Sequence, residues 1–183
     1  MNTPITFITG NAGKAEQLSK YLGIPVDHHK VDLTEIQSLD LSEIISHKAK
    51  EAYQQIKGPV IVDDVSLIIH SMGKLPGPFI KYFISEFGNE GICKTVSHYD
   101  DKSATAEVCI GYYDGHHLEV FSGVIEGTIS HEPLGNGGFG WDAIFIPEAY
   151  TQTRSEMSES DYDDTSPRKF ALDKLRGYLT KER

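Results

Sequence analysis

The apolar, β-rich run Ile5-Thr6-Phe7-Ile8 breaks into Thr9-Gly10-Asn11 and passes at once into a helical pattern. Ala15, Leu18 and Leu22 fall at i, i+3 and i+7, so the chain must start as a strand turning directly into a helix. Such a turn leaves the first backbone N–H groups of the helix without intrahelical partners, and the helix dipole favours an anion there. Gly10 and Gly13 permit close backbone approach and Lys14 adds a mobile positive charge, the chemistry of a phosphate cradle. The spacing is not that of a Walker A loop, since two residues separate Gly10 from Gly13-Lys14 and Ala15 follows the lysine. An ordinary strand-turn-helix with Asn11 as N-cap and Lys14 in solvent fits the same residues. On these residues alone both readings stay open.

The next helix is patterned more cleanly. Asp40 and Glu43 have capping-box spacing, and Leu41, Ile44, Ile45, Ala49, Ala52 and Ile56 keep one apolar face. Lys48 falls on that same stripe and must either snorkel outward or meet an anion. Gly58-Pro59 stops the helix, and Val60-Ile61-Val62 reads as an interior strand ending in Asp63-Asp64. Ligands of open α/β sheets collect outside the carboxyl ends of strands. Adjacent carboxylates there repel unless a cation or hydrogen bonds offset the repulsion, and their hard oxygens suit Mg2+. A turn needs only one capping aspartate, so the pair favours a metal.

Leu75-Pro76-Gly77-Pro78 predicts a stiff loop entering a helix with Phe79, Ile80, Phe83 and Phe87 on its apolar side and Lys81 exposed. Two β-rich runs within 104–129 meet at Asp114-Gly115, a hairpin signal. His98, His116, His117 and His131 lack metal-ligand spacing and are expected at the surface. Gly135-Asn136-Gly137-Gly138-Phe139-Gly140-Trp141-Asp142 suggests a loop that brings an aromatic plane and backbone amides to a flat ligand, with a glycine-rich turn bearing two core aromatics as the competing reading. A strand resumes over 143–146, and 154–164 reads as an acidic, flexible surface loop. Ser166-Pro167 then opens a last helix buried through Ala171, Leu172, Leu175, Tyr178 and Leu179. Arg168 in its first turn runs against the helix dipole and hints at an anionic partner.

Composition narrows the class. A formal net charge of −10 over 183 residues argues against a nucleic-acid surface but not against a small polyanion held by a few lysines and a divalent ion. Cys93 and Cys109 show no C-x-x-C spacing and are expected as reduced core residues. No apolar run has membrane-spanning length and no signal-peptide pattern is visible, so a cytoplasmic protein without membrane contacts is expected.

Taken in order, Thr9-Gly10-Asn11…Lys14, Asp63-Asp64, Leu75-Pro76-Gly77-Pro78, Gly138-Phe139-Gly140-Trp141-Asp142 and Ser166-x-Arg168 resemble the inosine/xanthosine triphosphate pyrophosphatase family from residue 5 to about 179. The resemblance implies a single α/β domain over residues 1–183, elongated and two-lobed, with a central mixed sheet flanked by helices and a cleft between lobes. It implies a homodimer and Mg2+-dependent cleavage of a non-standard purine nucleoside triphosphate (ITP, dITP or XTP) to the monophosphate and pyrophosphate. By position, Thr9, Gly10, Asn11, Lys14 and Lys48 would hold the triphosphate. Asp64 would bind metal and accept a proton, with Asp63 and Glu35 as further metal ligands. Phe139, Gly140, Trp141 and Asp142 would frame base and sugar, and Lys81 and Arg168 would contact substrate. The family's usual Ser-His-Arg stands here as Ser166-Pro167-Arg168, and its lysine five residues before the histidine is Tyr162. Both departures fall at the base end. They leave open the same chemistry on other nucleotides, or a nucleotide sensor without turnover.

Overall fold

The computed structural model describes residues 4–181. Seven strands, β1 (Ile5–Ile8), β2 (Val26–His29), β3 (Val60–Ile69), β4 (Pro76–Gly77), β5 (Ser103–Tyr113), β6 (Leu118–Ile129) and β7 (Phe145–Pro147), form one sheet. Its order is β2-β1-β3-β5-β6-β7, with β4 attached to β3. Five α-helices accompany it: α1 (Ala12–Leu22), α2 (Leu41–Ile56), α3 (Ile80–Val96), α4 (Glu159–Asp164) and α5 (Pro167–Lys181). The sheet is mixed, as expected. β1 runs parallel to β2 (Ile5↔Val26) and to β3 (Thr6↔Val60), whereas β3–β4 and β6–β7 are antiparallel.

The chain divides into two compact units, each drawn from separate stretches of sequence. The first comprises Met1–Asp64, Cys109–Ser122 and Ala171–Arg183; the second comprises Val65–Val108 and Gly123–Phe170. Each has its own apolar core. In the first, Leu41, Ile45, Ala49 and Ala52 of α2 pack on Val60 and Val62 of β3 and on Cys109. In the second, Leu67, Ile80, Ile92, Val96, Ile144 and Phe145 belong to one cluster that also includes Trp141. Cys93 and Cys109 are both buried and unbridged.

Several local expectations need correction. β3 does not end at Asp63-Asp64 but runs on to Ile69, because Leu67 and Ile68 pair with Gly77 and Pro76 across the sheet. β4 follows within ten residues, but the other neighbour of this strand, β5, is distant in sequence, so local pattern cannot announce the continuation. The Pro-Gly-Pro loop thereby contributes a short strand. Phe87 is exposed and not part of the core side of α3, which breaks at Gly88 (φ 66°, ψ 170°). The Asp40–Glu43 box does not close: Asp40 caps the N–H groups of Ser42 and Glu43, but the Glu43 carboxylate accepts from the Ser38 hydroxyl at 2.6 Å. Residues 154–164 are not a flexible loop. A closed capping box from Thr153 to Glu156 starts a 3-10 turn, and Ser158 caps α4.

Candidate active site

The turn after β1 is closed by its own side chains. Asn11 Oδ1 accepts the backbone N–H groups of Gly13 at 3.0 Å and Lys14 at 3.4 Å, and Thr9 Oγ1 accepts the Asn11 N–H at 3.2 Å. Asn11 is therefore the N-cap of α1, satisfying donors that an anion would otherwise take. Lys14 is exposed on the first turn. A Cβ on Gly10 would stand 3.3 Å from Lys30 Cδ, so the Lys30 stem lies over this glycine.

Lys48 meets anions. It is carried by the buried face of α2, between Ile45 and Ala49 in sequence, with 11% of its side chain exposed. Its Nζ lies 2.6 Å from Asp64 Oδ2 on β3 and 3.4 Å from Glu35 Oε1 in the loop before α2. Burial works to lower the Lys48 pKa. The hydrogen bond and charge of Asp64, backed by Glu35, outweigh it and hold the pKa above the ordinary lysine value. Asp63 and Asp64 are consecutive on a strand, so their side chains leave it on opposite sides. Asp63 lines a cavity of about 270 Å³ together with Ile8, Asp32, Glu35 and Lys48. Because β1 stops at Ile8 while β3 continues, the pair still lies level with the carboxyl end of a parallel strand.

Among the described residues, no three His, Cys, Asp or Glu side chains form a ready-made metal cage, so the expected Asp63–Asp64–Glu35 set is not assembled as one. The donor chemistry nevertheless fits a hard cation. Mg2+ usually takes one or two carboxylates and completes its shell with waters and phosphates. Here carboxylate oxygens already surround one cationic group, the Lys48 ammonium.

The residues expected at the base end all belong to the second unit. Phe139 is 77% exposed. Trp141 is not: at 8% exposure it packs edge-on against Phe145, centroids 5.3 Å apart, so its ring is a core group. Gly140 adopts φ 59°, and its carbonyl accepts from the Asn89 side chain at 2.9 Å. Asp142 is buried, and its carboxylate pairs with Arg154 at 2.9 Å. Lys81 is exposed, its ammonium 5.0 Å from the Tyr82 ring centroid. Arg168 is half-buried in the first turn of α5. Sequence reasoning missed Arg154 altogether. The available signal was Thr153-x-x-Glu156, whose capping-box spacing argues for order in an acidic stretch.

The chain matches the Ham1 family model over residues 5–178. It is 40% identical over 183 residues to an inosine triphosphate pyrophosphatase of Yarrowia lipolytica, covering 97% of this chain and 96% of that one. It is 36% identical over 178 residues to a dITP/XTP pyrophosphatase of Thermococcus kodakarensis, covering 96% of each. Among solved structures, a HAM1 protein from Coxiella burnetii superposes with a TM-score of 0.88 at 24% identity, covering 99% of this chain and 100% of that chain. That likeness speaks for the fold.

Proposed function

This chain belongs to the Ham1 family, and from that premise we propose that it hydrolyses non-standard purine nucleoside triphosphates, ITP, dITP and XTP, to the monophosphate and pyrophosphate. The observation that carries the reading is the half-buried Lys48 ammonium held by Asp64 and Glu35 beside a cavity at the carboxyl end of β1. Asp64, with Glu35 beside the same ammonium, would hold a divalent cation, Mg2+ by the hardness of the oxygen donors. Asp63, whose side chain leaves β3 on the other side, would join them only by turning toward it. When bound, that ion supplies charge neutralisation on the phosphoryl oxygens and acidifies water. Asp64 accepts a proton from the attacking water, whose oxygen bonds to the α-phosphorus as the bridge to the β-phosphate breaks. Lys14 and Lys48 offset the charge that develops on the departing pyrophosphate. Thr9, Gly10 and Asn11 contribute the α1 entrance to phosphate binding, which requires Asn11 to yield the N–H groups that it now caps.

Pyrophosphate release assayed in Mg2+ over a panel of triphosphates tests this directly. Faster turnover of ITP, dITP and XTP than of ATP or GTP is expected, and no release from any of them overturns the reading. Asp64→Asn should lower kcat by at least about 100-fold with an unchanged circular dichroism spectrum. A second, broader reading is favoured by one observation: Tyr162, at the position of the lysine in the resembling family, turns its hydroxyl to Asp142. In that case the panel shows comparable turnover across purines. The same proposal includes a cytoplasmic homodimer. Light scattering checks the dimer, with twice the chain mass of 20.3 kDa expected. Among the described residues no helix is long and apolar enough to cross a membrane.

A further inference from the structure

One buried ionic assembly has no role in the bond-breaking step proposed above. Arg154 is 3% exposed, and its Nε donates to Asp142 Oδ1 at 2.9 Å. Its Nη1 donates to the Thr165 carbonyl, to Thr165 Oγ1 at 2.7 Å and to the Tyr162 carbonyl at 3.3 Å. The Tyr162 ring lies under the guanidinium, 4.0 Å from centroid to Cζ, and its hydroxyl donates to Asp142 Oδ2 at 2.8 Å. That same Oδ2 accepts the Phe139 N–H at 2.6 Å. The turn leading to Asp142 is wrapped tightly around the carboxylate. Gly138 has φ 74°, and a Cβ there would stand 2.7 Å from Asp142 Oδ2.

We propose that Arg154 and Tyr162 are positioning residues for nucleotide binding: they clamp Asp142, which through the Phe139 N–H fixes the backbone from which the exposed Phe139 ring projects. The proposal rests on the reading of the chain as a nucleoside triphosphate pyrophosphatase. Three donors converge on the Asp142 carboxylate, so it acts as a pedestal for the loop and not as a reader of base hydrogen bonds. What is offered to the ligand is an aromatic ring on a fixed backbone, which suits stacking of a flat heterocycle and tolerates changes in its substituents. The same guanidinium holds Thr165, immediately before Ser166-Pro167-Arg168, so the Phe139 loop and the start of α5 are fixed by one side chain.

Tyr162→Phe removes only the hydroxyl, and Arg154→Lys keeps the charge while losing the forked geometry and the stacking. Two readouts decide. In steady-state kinetics with ITP, Tyr162→Phe should raise KM by about tenfold with kcat held within about twofold, because the hydrogen bond to a carboxylate is lost while Lys48 and Asp64 are untouched. Trp141 is the only tryptophan and adjoins Asp142, so its emission reports the loop without any turnover. Both variants should make it more accessible to acrylamide quenching. Unchanged KM, equal losses in kcat and KM, or unchanged quenching in Tyr162→Phe overturns the clamp. Should the wild-type protein release no pyrophosphate from any nucleotide, the hydrolase reading fails. The quenching comparison then still decides whether Arg154 and Tyr162 fix the loop. If Arg154→Lys does not fold, Tyr162→Phe decides alone.

Discussion

A lysine on the apolar stripe of a helix needs a counter-charge, and Lys48 finds Asp64 at 2.6 Å and Glu35 at 3.4 Å. Lys48→Met should cost about 1.5–3 kcal/mol in urea unfolding, the range for a hydrogen bond to a charged group. The pairing also sets a pH dependence. Lys48 and Tyr162 both hold their protons more firmly in the folded chain than in the unfolded one. For Tyr162 burial is the larger cause and the Asp142 charge the next. Their contributions are therefore complete below the unfolded values, near pH 10, and drain away as pH rises through the folded ones. Urea midpoints measured from neutral to strongly alkaline pH should fall above about pH 10, and less steeply in Tyr162→Phe. Arg154→Met leaves Asp142 buried without its cation and should cost about 3–5 kcal/mol, part of which Asp142→Asn in the same chain restores. A double-mutant cycle in urea checks that coupling.

At the scale of elements, caps and close approaches dominate. Asn11 and Asp40 cap α1 and α2, and each replaced by Ala should lose about 1 kcal/mol. Glu43→Gln should change little by comparison, since the box with Asp40 is not closed. Gly111 on β5 lies against α2: a Cβ there would stand 2.6 Å from Ile45 Cγ2 and 3.1 Å from Val62 Cγ2. Both neighbours are buried, so Gly111→Ala should destabilise by about 1–3 kcal/mol through overpacking. Gly177, in the interior of α5 with nothing within 4 Å of its would-be Cβ, gives the opposite sign. There Gly→Ala should stabilise by roughly 0.4–1 kcal/mol. Thermal melts of the two variants distinguish these outcomes.

On the scale of the whole molecule, sequence order and spatial grouping part company. The first unit closes only with the final residues, where Ala171, Leu172, Leu175 and Leu179 are buried. A chain ending at Phe170 loses three leucines worth about 1.5–3 kcal/mol each, against a typical total stability of about 5–15 kcal/mol. It should therefore show no cooperative unfolding of the first unit by hydrogen exchange. Much of the fold was legible beforehand, because periodicity is written locally. The β1 turn into α1, the α2 stripe, the turn at Asp114-Gly115 and the start of α5 at Ser166-Pro167 all rest on near neighbours in the chain. The position of Lys48 on its stripe was equally legible; that its anions are Asp64 and Glu35 was not. Continuation of β3 past Asp64 depends on its neighbours β4 and the sequence-distant β5, and the burial of Arg154 depends on Asp142, a residue on another segment. Sequence by itself determined where helices and strands start and which side chains carry charge. Tertiary structure alone decided which charges meet, and why Phe139 faces water while Trp141 lies in the core. Desolvating an ion or a ring is favourable only against a partner that folding brings near.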